Sequence, residues 1–257
     1  MMKVCVLSSG SKGNSTLIQS SNTKILIDLG ITKAYAEEKL NEINVDPKEI
    51  QAVLITHTHV DHIQGLKVFL KKYHPKLYVN KIIYSLLGEY INYDNYEIYD
   101  TNNIKIGDIE VDIIKTSHDV SGSVGFIVKS DNKSLVYITD TGYINKRYYE
   151  KLQNHNMYII ESNHDVEMLM NGKYPFHLKQ RILGDKGHLS NNDASYYLSE
   201  FIGDKTSTIV LAHLSDDNNT YDLALNTLKS TLKENNKNVK NIMVAKQKIR
   251  TDIIEIW

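Results

Sequence analysis

The seven residues at positions 56–62, T-H-T-H-V-D-H, restrict this chain more than any other feature, and they close the apolar run A-V-L-I-T of Ala52–Thr56. His57, His59, Asp61 and His62 put four possible ligands into six residues of a chain that has 10 histidines in all. Imidazole and carboxylate together suit zinc, and also manganese or iron. A short apolar run followed by polar residues reads as a buried strand. If the chain stays extended, His57, His59 and Asp61 share one side by the two-residue alternation. His62 joins them only if the chain turns into the helix expected next, and that turn would let one segment serve two adjacent metals. The same residues also read as a polar loop that holds histidines without binding anything.

The rest of the chain can supply the core that such a strand needs. Its 257 residues allow one large domain or two small ones. With 41% hydrophobic and 24% charged residues it is not a disordered chain. A net charge of −1 excludes a strongly basic nucleic-acid-coating protein and leaves room for a local basic groove. Cys5 is the only cysteine, so there is no intrachain disulfide and no cysteine-based zinc site, as in a reducing, cytoplasmic setting. Cys5 itself reads as a core residue of the first strand. No apolar run reaches the ~18 residues that span a bilayer, and the N-terminus turns polar too early for a signal peptide. No linker, short-period repeat or low-complexity tract divides the chain, which reads as one domain over 1–257.

Strands are expected at Lys3–Leu7, Thr16–Gln19, Lys24–Asp28 and Ala52–Thr56, then at Tyr96–Tyr99, Ile104–Ile106, Glu110–Lys115, Gly125–Lys129, Ser134–Thr139 and Met157–Glu161. Late strands are expected at Thr208–Ala212 and Asn241–Ala245, with Asp252–Trp257 closing the chain. Helices are expected at Thr32–Ile43, Leu66–Tyr73, Pro175–Leu183, Asp193–Ile202 (with Ser190 as N-cap) and Asp222–Asn235. Many strands with helices to cover them give a layered α/β fold, two sheets inside and helices outside.

H-x-H-x-D-H after an apolar strand resembles the signature of the metallo-β-lactamase superfamily. The resemblance implies a four-layer αββα sandwich with metals at one edge of the sheets, and it implies further ligands. Asp28 ends K-I-L-I-D, His118 lies in K-T-S-H-D, Asp140 in Y-I-T-D-T-G and His213 in I-V-L-A-H-L-S, each in the right order and just past a β-rich run. The likeness therefore runs from about residue 3 to about residue 215. It implies that His57, His59 and His118 hold one divalent metal and that Asp61, His62 and His213 hold a second. Asp140 would bridge the two, and Asp28 would orient a ligand histidine by hydrogen bond. Two metals about 3.5–4 Å apart lower the pKa of a shared water and neutralise phosphate charge, so no protein nucleophile is needed. Zinc or manganese suits the donors, with iron and nickel not excluded.

Within that superfamily, His59 stands where the diiron oxygen-reducing branch carries Glu. No long insertion separates Asp140 from His213, as the β-CASP nucleases would require. S-S-G-S-K-G-N-S (Ser8–Ser15), E-S-N-H-D (Glu161–Asp165), G-H-L-S-N (Gly187–Asn191) and A-H-L-S-D-D-N-N (Ala212–Asn219) resemble segments of the YycJ/WalJ family. The first of these reads either as a plain turn or as one that aims N–H groups at an anion. The likeness implies a 5′→3′ exonuclease acting on DNA, with RNA open, through a dinuclear metal-activated hydroxide. By likeness to RNase Z-like enzymes, His188 would be a phosphate ligand or proton donor to the leaving oxygen, with Glu161 beside it. Catalytic roles thus fall on Asp61, His188 and Glu161. Lys67, Lys71, Lys72, Lys76 and Lys81, with no acid between them, read either as a solvated helix face or as a groove tracking a nucleic-acid backbone. A nucleic-acid partner, DNA ends or single strands, follows from the same likeness, and no membrane partner is expected. Two other readings stand beside it: a metallohydrolase of a small cyclic phosphodiester or thioester, and a non-catalytic, metal-stabilised regulatory protein.

Overall fold

Apolar residues placed to fill both faces of a strand demand cover on both sides, and the chain provides it. The computed structural model describes residues 1–100 and 102–256. Its first half supplies β1 (Met2–Ser8), β2 (Ser15–Gln19), β3 (Lys24–Ile27), β4 (Ala52–Leu54), β5 (Lys76–Asn80) and β6 (Tyr96–Tyr99). The second half supplies β7 (Asn103–Ile106), β8 (Ile109–Lys115), β9 (Val124–Ser130), β10 (Lys133–Ile138), β11 (Met157–Glu161), β12 (Thr208–Ala212) and β13 (Asn241–Val244). The last strand, β14 (Ile254–Ile256), returns to pair with β1; Trp257 lies outside the described residues. The sheets run β14-β1-β2-β3-β4-β5-β6 and β13-β12-β11-β10-β9-β8-β7. The first is antiparallel from β14 to β3 and parallel from β3 to β6; the second is parallel from β13 to β10 and antiparallel from β10 to β7.

The helices are α1 (Lys33–Asn41), α2 (Val60–Ile63), α3 (Leu66–Tyr73), α4 (Lys81–Ile91), α5 (Tyr149–Leu152), α6 (Val166–Asn171), α7 (Phe176–Leu183), α8 (Asn191–Phe201) and α9 (Tyr221–Glu234). Ala36 and Leu40 of α1, Phe69 and Leu70 of α3, and Ile83 and Leu87 of α4 pack on the first sheet. Leu198 and Phe201 of α8 and Leu228 of α9 pack on the second. The alternation along β11 shows the layering. Met157 and Ile159 join the core that both sheets share, whereas Tyr158 and Ile160 join the core beneath α8 and α9. The result is the αββα sandwich. Among the described residues no helix is long and apolar enough to cross a membrane.

Most expected elements recur within a residue or two. Ser190 caps α8 through a capping box with Asp193. Two departures bear on the site. First, β4 stops at Leu54, because the Thr56 N–H donates to the Asp28 carboxylate (2.8 Å) and not to a neighbouring strand. Second, β5 and α4 form where the sequence marks neither a strand nor a helix. L-Y-V-N-K-I-I-Y-S-L-L has no clear apolar break, and only Asn80, whose side chain accepts from the N–H groups of Ile82 and Ile83, marks where strand becomes helix.

Candidate metal centre

Side chains at the carboxyl ends of the parallel strands converge on one edge of the sandwich, the usual place for a ligand in an open α/β sheet. Asp28 follows β3, the segment His57–His62 follows β4, Asp140 follows β10 and His213 follows β12. Asp28, Asp140 and His213 have left-handed backbones, with φ of 59°, 55° and 55°. Few residue types other than glycine adopt this conformation, and Asn, Asp and His are the enriched ones. It turns each chain sharply out of its strand, so the side chain lies along the sheet edge. Asp61 is in the first turn of α2, with His59 as N-cap. A helical turn, not extended alternation, therefore brings Asp61 and His62 round.

Two donor clusters face each other. In one, His59 Nδ1 lies 3.1 Å from His57 Nε2 and 3.2 Å from His118 Nε2. In the other, Asp61 Oδ2 lies 3.5 Å from His62 Nε2 and 3.4 Å from His213 Nε2. Asp140 stands between them, with Oδ2 3.2 Å from His62 Nε2 and Oδ1 3.8 Å from His118 Nε2 and 3.5 Å from His213 Nδ1. All these residues except His59 and Asp61 are buried.

The hydrogen bonds behind these rings decide which nitrogen faces inward. His62 Nδ1–H donates to Asp28 Oδ2 (2.8 Å), and the Thr56 hydroxyl donates to the same oxygen (2.8 Å). With its proton so placed, the Thr56 oxygen accepts from His57 Nδ1–H (3.1 Å). His118 Nδ1–H donates to the Gly187 carbonyl (3.3 Å). His57, His62 and His118 therefore all present unprotonated Nε2 inward; the Asn14 amide N–H faces that of His62 (3.1 Å), and the Nε2 atoms of His57 and His118 crowd round His59 Nδ1. The inner oxygen of Asp140, Oδ2, is buried without a hydrogen-bond partner. A buried set of inward lone pairs beside a partnerless carboxylate oxygen fits divalent cations and little else.

Three residues that sequence reasoning did not single out brace this set. Asp119 Oδ1 lies 3.3 Å from His59 Nε2 and, through Oδ2, accepts from Arg181 Nε (2.7 Å). Asn14 is buried and its amide orientation is fixed, because Oδ1 accepts from the Gly10 N–H (2.8 Å). Its Nδ2 therefore points at Asp61 Oδ2 (3.2 Å) and His62 Nε2 (3.1 Å). The Gly-Ser turn, which reads either as a plain turn or as an anion cradle, takes part in this bracing. The N–H groups of Ser9, Gly10, Gly13 and Asn14 are already donated to Lys246 O, Asn14 Oδ1, Gly10 O and Asp61 O. The bracing is tight: a Cβ on Gly30 would come within 1.6 Å of the Asp61 carbonyl oxygen.

Glu161, at the end of β11, is fully buried. Its Oε1 accepts from His188 Nδ1 (2.6 Å) and His213 Nδ1 (3.0 Å), and its Oε2 from the N–H groups of Thr141 and Leu189 (both 3.1 Å). Burial alone would raise its pKa, but His188 and His213 hold it down to about 2. Burial would lower the pKa of His188, and the Glu161 carboxylate raises it above the ordinary histidine value. His188 is partly exposed and lines a cleft of about 320 Å³ together with His59, Asp61, Asp140, Arg181 and His213. Glu161 reaches that cleft only through the two histidines.

A model of the metallo-β-lactamase superfamily matches residues 9–213. The chain is 39% identical over 237 residues to exodeoxyribonuclease WalJ of Streptococcus pneumoniae, covering 90% of this chain and 88% of that protein. It is 37% identical over 233 residues to exodeoxyribonuclease YycJ of Bacillus anthracis, covering 89% and 88%. Among solved structures, the metallo-β-lactamase-fold protein YhfI of Bacillus subtilis superposes with a TM-score of 0.75 over 98% of this chain and 100% of that one, at 17% identity. That last likeness is one of fold.

Proposed function

Because the chain belongs to the metallo-β-lactamase superfamily, we infer that it is a metal-dependent exodeoxyribonuclease that hydrolyses phosphodiesters at the edge of its two sheets. The observation that carries this reading is the pair of facing donor clusters sharing one cleft with the Glu161–His188 pair. His57, His59 and His118 would hold one divalent ion, zinc or manganese. Asp61, His62 and His213 would hold another, and Asp140 would lie between. When bound, two such ions supply a water activated at neutral pH and neutralise charge on the phosphate. Asp28 fixes His62 directly and His57 through Thr56, so one carboxylate sets the ligand nitrogen of a residue in each cluster. Glu161 positions His188 by holding Nδ1–H, which leaves Nε2 free to give a proton to the departing oxygen. A core common to both sheets and a site built from both halves support one domain across 1–257. DNA as substrate implies action in the cytoplasm.

The test uses chelator-stripped protein with 5′- and 3′-labelled single- and double-stranded oligonucleotides, zinc and manganese added back separately. Stepwise loss from the 5′ end, dependent on metal and absent in Asp61→Ala, is the expected result. Intact oligonucleotides with both ions loaded would refute the reading.

Asn14→Ala should weaken binding of the ion held by Asp61 and His62 about 10–100-fold, the usual effect of removing a group that orients a ligand. Competition against a chelator of known affinity reads this directly. Unchanged affinity would remove Asn14 from that role.

A further inference from the structure

The lysine-rich stretch after the ligand loop divides in two. Lys72 pairs with Glu37 and Lys76 with Glu97, each at 2.7–2.8 Å, and Lys67 lies over the Tyr90 ring. These belong to the helix face and its flank, and their charge is already balanced or stacked. Lys81 is different. It borders a second cleft, of about 500 Å³, together with Lys115 and Lys186. Among the described residues none of these three side chains has an ion pair or hydrogen bond, although eight other lysines pair with carboxylates. Among the described residues Asp100 is the one carboxylate bordering the cleft.

This cleft adjoins the metal cleft through a thin wall. His118 borders the second cleft and its neighbour Asp119 the first; Lys186 borders the second, and Gly187 and His188 the first. Two short pieces of chain thus separate the inward-facing donors from three unbalanced cations. The wall is also held in place, because Asn80 Nδ2 donates to the Gly122 carbonyl (2.8 Å) and ties the loop after His118 to the start of α4. A cavity of this size is in the range of sites for single small molecules, about 300–1,000 Å³. It takes a short piece of one strand, not a duplex. Lysines set along a groove, with serine and threonine hydroxyls between them, suit phosphate oxygens and carry no base preference.

We propose that the cleft between α4 and the loop after β8 is a phosphate track, through which one nucleic-acid strand passes Lys81, Lys115 and Lys186 on its way to or from the metal cleft. This rests on the exonuclease reading. The test compares wild type with the triple variant Lys81→Gln, Lys115→Gln, Lys186→Gln; all three residues are exposed, so the fold should be kept. The first readout is the anisotropy of a fluorescein-labelled oligothymidylate with metal-stripped protein. Binding should weaken about tenfold, and the slope of log affinity against log salt should fall by about 2, at ~0.7 per lost phosphate contact on a single strand. The second is turnover with manganese present. KM for the oligonucleotide should rise while turnover of bis(p-nitrophenyl) phosphate stays the same. Unchanged affinity and salt slope in the triple variant would overturn the track. A wild type that hydrolyses the small diester but neither binds nor degrades oligonucleotides would overturn the exonuclease reading itself, and the track with it.

Discussion

Asp140→Asn is expected to lower phosphodiester hydrolysis by about a thousandfold, the several kcal/mol that metal stabilisation of a phosphate contributes, and to reduce the metal content from two ions to one. Asparagine has nearly the shape of aspartate and tolerates the left-handed backbone found at this position, where φ is 55°. The turn after β10 should therefore survive, and the variant should fold. What it loses is charge. Among the described residues Asp140 is the one carboxylate within 3.8 Å of histidine nitrogens in both donor clusters, through His118 on one side and His62 on the other. A neutral amide there offers an N–H where a cation needs an anion. Elemental analysis after dialysis, beside initial rates on an oligonucleotide, measures both effects. A variant that keeps two ions would show that Asp140 does not link the clusters.

His188→Ala should cost about 10²–10³-fold in kcat on DNA, as loss of a general acid does, with little effect on bis(p-nitrophenyl) phosphate. The difference lies in the leaving group. A sugar oxygen departs as a poor alkoxide unless it receives a proton, whereas p-nitrophenolate departs unaided. The geometry singles out His188 for this task. Its Nδ1 is held by a carboxylate that is buried and saturated by four donors, so the ring cannot turn. Equal losses on both substrates would mean that His188 grips phosphate and gives no proton.

The sequence was most legible where chemistry was written locally. His57, His59, Asp61 and His62 stand out by spacing alone, whereas Asp28, His118, Asp140 and His213 are legible only through the resemblance to the superfamily, each just past a β-rich run. The bracing residues were not legible. Asn14 is 47 positions from Asp61 along the chain, and Asp119 gains its meaning only when α7 brings Arg181 to it. No periodicity encodes such meetings. The turn around Gly10 reads from its glycines and serines either as a plain turn or as a place for an anion, and several of its N–H groups are given to the turn itself and to neighbouring segments. The lysines are as hard to read: a run of like charges in sequence says nothing about which of them find carboxylates once α1 and β6 are in place, as Lys72 and Lys76 do, or that Lys81 is the one of the five that borders the second cleft.

The left-handed ligands have a consequence for anyone who would change which metal this scaffold prefers. At positions 140 and 213 the donor atom and the bend of the chain are one choice, and at position 28 the bend is tied to the carboxylate that orients His62. Exchanging His213 for cysteine, to favour a softer ion, or Asp140 for glutamate, to lengthen the reach, would also put a residue less suited to φ near 55° at a strand end. The palette open to redesign is therefore narrower than coordination chemistry alone suggests, and it is widest in the segment 57–62, where the backbone is ordinary and only the side chain has to change.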